Sequence, residues 1–185
     1  MIIIIFSIAT VVIVLAVIFL YNSMVSLRNF RENAFADMDV QLKQRHDLIP
    51  NLVETVKGYM QHESSVLIAV TEARAGAINA RTIDEKIAFE NQLGSALQGL
   101  KVSFERYPDL KANENFLKLQ DEISDIENKI AASRRFFNSA TNEFNTYIQK
   151  FPTNILAGMF NFHRESFFDL GSDRATVSEA PKVKF

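Results

Sequence analysis

The residues able to do chemistry are few and scattered. His46, His62 and His163 are the three histidines. None stands three or four positions from another, so no helical turn can present two imidazoles to one metal ion. His62-Glu63 begins like a zinc-protease motif but lacks the second histidine. Asp37 with Asp39, and Glu122 with Asp125, are the carboxylate pairs that could share acid–base work. The first pair is two residues apart and cannot share a helix face. The second can, as can many pairs on a solvated helix. No glycine-rich phosphate loop and no G-x-S-x-G elbow occurs. The chain has no cysteine, which removes disulfides, thiolate metal sites, cysteine nucleophiles and a lipoprotein anchor. These observations predict no catalytic, cofactor-binding or metal-binding residue, no cofactor and no small-molecule substrate: the chain reads as a non-enzyme.

The elements that would position any site are helical. Of the 185 residues, 48% are apolar and 23% charged, enough to build a core and too apolar for a disordered chain. The formal net charge of −2 shows no basic excess, so a nucleic-acid partner is not expected. Six glycines and four prolines suit long helices better than a sandwich or barrel rich in turns.

Residues 2–20 read IIIIFSIATVVIVLAVIFL, with only Ser7 and Thr10 interrupting the apolar run. Both can bond back to a helical carbonyl. About 20 residues at ~1.5 Å per residue span ~30 Å, a bilayer core. A helix satisfies its backbone there and a lone strand cannot. No A-x-A cleavage site comes after the run, so the segment is expected to stay as an anchor. Ile2, Phe6, Val12, Leu15, Phe19 and Leu20 would face lipid, with Tyr21 at the interface. No Lys or Arg precedes the run, whereas Arg28 and Arg31 lie just beyond it. That asymmetry points the remaining chain toward the cytoplasm, with the periplasm as the alternative.

Pro50, Pro108 and Pro152 punctuate the rest of the chain. The first soluble segment, residues 22–49, continues from the apolar run without a breaker and carries Leu27, Ala34, Met38 and Leu42 in a stripe. A second helix is expected over 51–79, with Asp47 as its N-cap and Arg45 at the carbonyl end of the first. That would make Arg45–Asn51 a fixed hairpin tip, presented farthest from the membrane or serving only as a cap. Thr82 and Glu85 form a capping box opening a third helix, to about Tyr107. Its stripe is Ile83, Ile87, Leu93, Leu97, Leu100 and Phe104. From Asn113 to Phe151 the seam Phe116, Leu119, Ile123, Ile126, Ile130, Ser133, Phe137, Ala140, Phe144, Tyr147 and Phe151 steps by three and four, the signature of a long packed helix. The expected fold is all-α: an N-terminal transmembrane helix continuous with an elongated antiparallel bundle of three to four long helices. The expected divisions are 1–21 anchor, 22–151 bundle, 152–170 aromatic-rich short helix and loop, and 171–185 tail.

Beyond Phe151, a short helix over Thr153–Phe160 would be apolar on most sides. Phe160, Phe162, Phe167 and Phe168 then read either as a lid on the open end of the bundle or as a self-association or membrane-surface patch. The tail ends at Phe185 in an alternating segment able to add to a strand or groove. The many asparagines, Asn113, Asn138 and Asn145 among them, read equally as surface residues or as bonds between helices or subunits.

The stretch Asp39-Val-Gln-Leu-Lys-Gln-Arg-His-Asp-Leu-Ile-Pro-Asn-Leu-Val-Glu-Thr-Val-Lys-Gly-Tyr59 closely resembles the LemA family. The resemblance continues at His62-Glu63, Glu72-Ala-Arg-Ala75, Tyr107-Pro-Asp-Leu-Lys-Ala-Asn-Glu-Asn-Phe116, Leu119-Gln120 and Ala131-Ala-Ser-Arg-Arg-Phe136. It closes on Phe137-Asn138, Tyr147 and Phe151-Pro152, covering about residues 21–168. Phe137 stands where the family commonly has tyrosine. The resemblance implies a bacterial protein with an N-terminal membrane helix and a helical bundle, and implies no reaction. A magnetosome-associated relative suggests membrane shaping, and membrane metalloproteases as frequent gene neighbours suggest an adaptor. The expected function is a homo-oligomeric scaffold of the bacterial cytoplasmic (inner) membrane, crossing it once, with the lipid bilayer and further copies as partners. The alternative is an adaptor or regulator of an envelope protein such as a membrane metalloprotease in a stress response.

Overall fold

The computed structural model describes residues 1–60 and 63–168. They form helices α1 (Ile2–Lys57), α2 (Ser64–Asn79), α3 (Ile83–Phe104), α4 (Pro108–Lys111), α5 (Glu114–Gln149) and α6 (Thr153–Met159). No strand occurs among the described residues. The chain divides into two compact parts, Met1–Met38 with Ala132–Phe167, and Asp39–Ala131 with Phe168.

In the second part, α1 from Asp39, α2, α3 and the start of α5 run up, down, up and down. Cross-helix bonds fix that order. Asp39 of α1 pairs with Lys86 near the start of α3. Glu63, just before α2, accepts from Tyr107 just after α3. Tyr59, after α1, accepts from Asn113, before α5, at 3.1 Å. Short connections of this kind are how an up-down-up-down bundle is made. Its core joins Ile49, Leu52, Val56, Val70, Leu93 and Leu100, with Phe104 edge-to-face on Phe116 at 4.8 Å.

Local signals set the ends of these helices. Thr82 accepts from the Glu85 amide at 3.1 Å, and the Glu85 carboxylate accepts from the Thr82 amide at 3.2 Å, the expected capping box. Asn113 caps α5 by accepting from the Phe116 amide at 3.0 Å. Pro108 occupies the first turn of α4, where its missing donor costs nothing. Gly76 lets α2 approach α3 closely: a Cβ there would lie 2.4 Å from the Phe89 ring.

One expected boundary is wrong. Pro50 lies inside α1, which runs on to Lys57. The turn falls at Gly58 and beyond, and α2 begins at Ser64 rather than residue 51. Asp47 is therefore not an N-cap, and Arg45 is not at a carbonyl end; both sit in the body of a helix. A proline inside a helix removes one backbone bond, and the carbonyl left over has to find another donor. Here the orphan is His46 O, and Arg74 Nε of α2 donates to it at 2.7 Å.

In the first part, α1 to Met38 packs against the end of α5, α6 and the segment after it. Met24, Phe144, Ile148, Leu156, Ala157 and Phe162 form its core, with Val17 and Leu20 against it. Phe35 meets Phe137 edge-to-face at 5.4 Å. The α5 seam points inward as its spacing predicts, except that Phe151 at its end is 81% exposed.

Candidate functional site: a buried ionic node and a polar clasp

Each helix of the bundle contributes one charged residue, or two from α1, to a node. Arg45 and His46 come from α1, Arg74 from α2, Glu90 from α3 and Glu127 from α5. Arg45 Nη2 pairs with Glu90 Oε2, and Nη1 donates to Glu127 Oε1 at 2.7 Å. His46 Nε2 lies 2.7 Å from Glu90 Oε1, in contact but off the line of a hydrogen bond. The Glu90 side chain is fully buried and that of Arg45 is 4% exposed. Burial alone would lower the pKa of Arg45; the Glu127 and Glu90 carboxylates outweigh it and hold the group above its ordinary value.

Such a node specifies which helices meet and in what register. Taking charges out of water offsets much of the attraction, so its net contribution is small, but removing one partner leaves a buried charge uncompensated. Sequence reasoning missed Glu90. Its signal was position: it lies three residues from both Ile87 and Leu93, on the apolar stripe of α3.

A second polar cluster lies in the first part of the chain. Arg31, buried in α1, donates to Thr141 Oγ1 of α5 and to the Ser166 carbonyl, each at 3.2 Å. It pairs with Glu165 at 3.1 Å and lies 4.9 Å from the Phe137 ring centroid. Asn145 of α5 holds the Glu165 backbone at both ends, its Nδ2 donating to the carbonyl at 2.9 Å and its Oδ1 accepting from the amide at 2.8 Å. Arg31 and Asn145 thus clasp the segment after α6 against α1 and α5.

Where α3 ends in the second part, Tyr107 donates to Glu63, which also meets Arg106 at 3.0 Å. The hydrogen bond to Glu63, with desolvation and the carboxylate's charge, raises the Tyr107 phenol pKa.

Of the expected interaction residues, Arg45 is buried in the node, and Asp47 is exposed on α1. Asp47 lines a shallow groove between α1 and α5 of about 400 Å³, with Glu122, Asp125 and Lys129 over Leu48 and Ile126. Phe162 belongs to the core and Phe168 is buried, so neither is a surface-patch residue; Phe160 and Phe167 are 46% and 40% exposed. Phe185 and His62 lie outside the described residues, and His163 is exposed beside Asn161 at 2.8 Å. Among the described residues no group of three or more His, Cys, Asp or Glu is placed to hold a metal ion. The anchor residues Ile2, Phe6, Val12, Leu15, Phe19 and Tyr21 are exposed and Leu20 is half-buried against the core. Among the described residues one helix, α1, is long and apolar enough to cross a membrane, and its apolar stretch is unburied.

A profile of the LemA family matches residues 34–185. The protein LemA of Metamycoplasma hominis is 29% identical over 149 residues, covering 80% of this chain and 68% of that protein. Magnetosome protein MamQ of Magnetospirillum gryphiswaldense is 22% identical over 174 residues, and MamQ 2 of Paramagnetospirillum magneticum 21% over 174. Each match covers 80% of this chain but 64% of the magnetosome protein, so the chain spans less than two thirds of their length. That profile covers more than half of the chain and the exposed apolar start of α1 stands before it: this is a membrane-anchored helical protein that belongs to the LemA family.

Proposed function

We propose that this chain is a membrane-anchored scaffold of the bacterial envelope that assembles side by side with copies of itself. The observation that supports this most is α1, which runs without a break from the apolar stretch into the bundle. A continuous helix lets neighbouring copies register both in the lipid and beside it. An exposed pair on the first part offers a contact: Phe30 and Phe136 meet edge-to-face at 5.6 Å, yet remain 41% and 48% exposed. Large aromatics left at a surface are characteristic of interfaces. The magnetosome proteins among the relatives agree with a role at a membrane. The cytoplasmic face of the inner membrane is the proposed location, on the charge asymmetry around the span.

Because the chain has no cysteine, Phe136→Cys provides a clean probe. Oxidation in intact membranes at native expression should yield disulfide-linked dimers. A strictly monomeric product, together with a monomer after bifunctional amine cross-linking, would remove the scaffold reading.

The groove beside Asp47 favours a second reading, an adaptor for an envelope protein. Asp47→Lys should then lose one specific partner from a pull-down while the fold persists. Arg45 is unsuited to that test because its loss would damage the node.

A further inference from the structure

The exposed face of α6 is apolar and sits at the end of the membrane span. Thr153, Leu156 and Ala157 turn inward onto a core that includes Val17 and Leu20, the last turns of the apolar stretch. Tyr21, the first residue beyond that stretch, meets Phe160 at 4.9 Å and Phe162 at 5.9 Å, edge-on in both cases. On the opposite side Ile155 and Met159 stand four residues apart on one face of α6, 55% and 72% exposed, and Phe151, in the turn just before the helix, is 81% exposed. Nothing in the described chain covers them.

We infer that α6 is a second membrane contact, an interfacial helix laid into the anionic surface of the bilayer that α1 crosses. Three observations select lipid over other occupants. The span ends where α6 packs, so α6 is held at the level of the headgroups. The stretch from Lys150 to Arg164 contains no acidic residue, and Lys150, Arg164 and Arg28 are exposed around it. Arg28 also lies 5.3 Å from the Phe162 ring centroid, its guanidinium held beside the segment that follows α6. Apolar side chains flanked by cations are what an interfacial helix uses, the former entering the boundary by ~5–10 Å and the latter meeting lipid phosphates. The Arg31–Asn145 clasp holds the segment after α6 in place, so the helix needs no ordering when it meets lipid.

The inference rests on α1 being embedded, and the test separates the two. Single-cysteine variants Phe19→Cys, Met159→Cys and Ser139→Cys of the full chain are labelled with an environment-sensitive dye and reconstituted into phosphatidylcholine vesicles with or without phosphatidylglycerol. Lipids brominated along their acyl chains serve as quenchers. The expected result is quenching at 19 and at 159, with 159 quenched most by bromines near the headgroup and more strongly with phosphatidylglycerol, and none at 139. Quenching at 19 without quenching at 159 overturns the interfacial helix while leaving the anchor standing. If unlabelled Met159→Cys forms disulfide-linked dimers on oxidation and the labelled protein escapes quenching, a second copy covers the face and the inference fails. Loss of quenching at 19 removes both.

Discussion

Arg74 Nε donates at 2.7 Å to the backbone carbonyl of His46, the carbonyl that Pro50 leaves without its donor four residues on. One side chain from α2 thereby lets α1 pass through a proline. The motif segments around Arg45–Asn51 and Glu72–Ala75 are thus explained together: one contains the breaker and the other its repair. Arg74→Leu should destabilise the bundle by about 1–3 kcal/mol, the cost of an unsatisfied carbonyl. In a Pro50→Ala background the alanine amide can take that carbonyl, so the same substitution should cost less. Urea titrations of the four proteins measure the coupling, expected at about 1 kcal/mol; additive effects would refute the repair.

The two carboxylates on Arg45 should differ in weight. Glu90→Ala strips a partner from a fully buried pair and should cost about 3–5 kcal/mol. Glu127, with its side chain 38% exposed, can be replaced by alanine for about 1 kcal/mol or less, because water screens it. The double change Arg45→Met with Glu90→Leu should recover most of the loss. Thermal melts of the three variants check the order.

Asn145→Leu removes both bonds to the Glu165 backbone. The expected cost is about 1–3 kcal/mol. Hydrogen exchange should accelerate first at Glu165 and its neighbours, while the amides of α3 keep their rates. Uniform acceleration throughout would mean that Asn145 supports the whole fold rather than the clasp.

Glycines in the helices should respond in opposite directions. Gly76→Ala drives a methyl into the Phe89 ring and should destabilise by about 1–3 kcal/mol, less the ~1 kcal/mol gained in helix propensity. A smaller partner, Phe89→Leu, should relieve the clash. Gly94 and Gly99 face open space, and alanine at either should stabilise by about 0.5–1 kcal/mol. Chemical denaturation midpoints distinguish these outcomes.

Acid should weaken the start of α3. The Arg81 and Thr82 amides donate to the Glu85 carboxylate and hold its pKa below the ordinary value of 4.5. A depressed carboxylate stabilises the fold above its unfolded pKa, and that stabilisation is lost as pH falls through the folded value. Glu85→Ala should therefore be less stable than the parent at pH 7, and the gap should close as the pH drops below about 4. Urea midpoints across that range provide the measurement; a gap unchanged by acid would contradict it.

Periodic and local signals were legible. Ile126, Ile130, Phe137, Ala140 and Phe144 are buried because a helix repeats its face every three to four residues, whatever it packs against. Thr82 and Glu85 cap α3 through partners three residues apart. The run that ends at Leu20 is long and apolar enough to cross a membrane, a property of length and composition alone. Pro50 misled for the same local reason: a proline signals a break unless something distant repairs it.

Sequence by itself thus determined the helical class, the apolar anchor, the α5 seam and the capping box, all set by neighbours within about a turn. Tertiary structure alone decided that α1 runs through Pro50, that Arg45 turns inward to Glu90 and Glu127, and that Phe162 is core while Met159 is left outside. Those outcomes depend on groups far apart in the chain, such as Arg45 and Glu127, separated by 82 positions. A buried charge is tolerable only where packing brings its counter-charge, and one-dimensional spacing carries no record of that meeting.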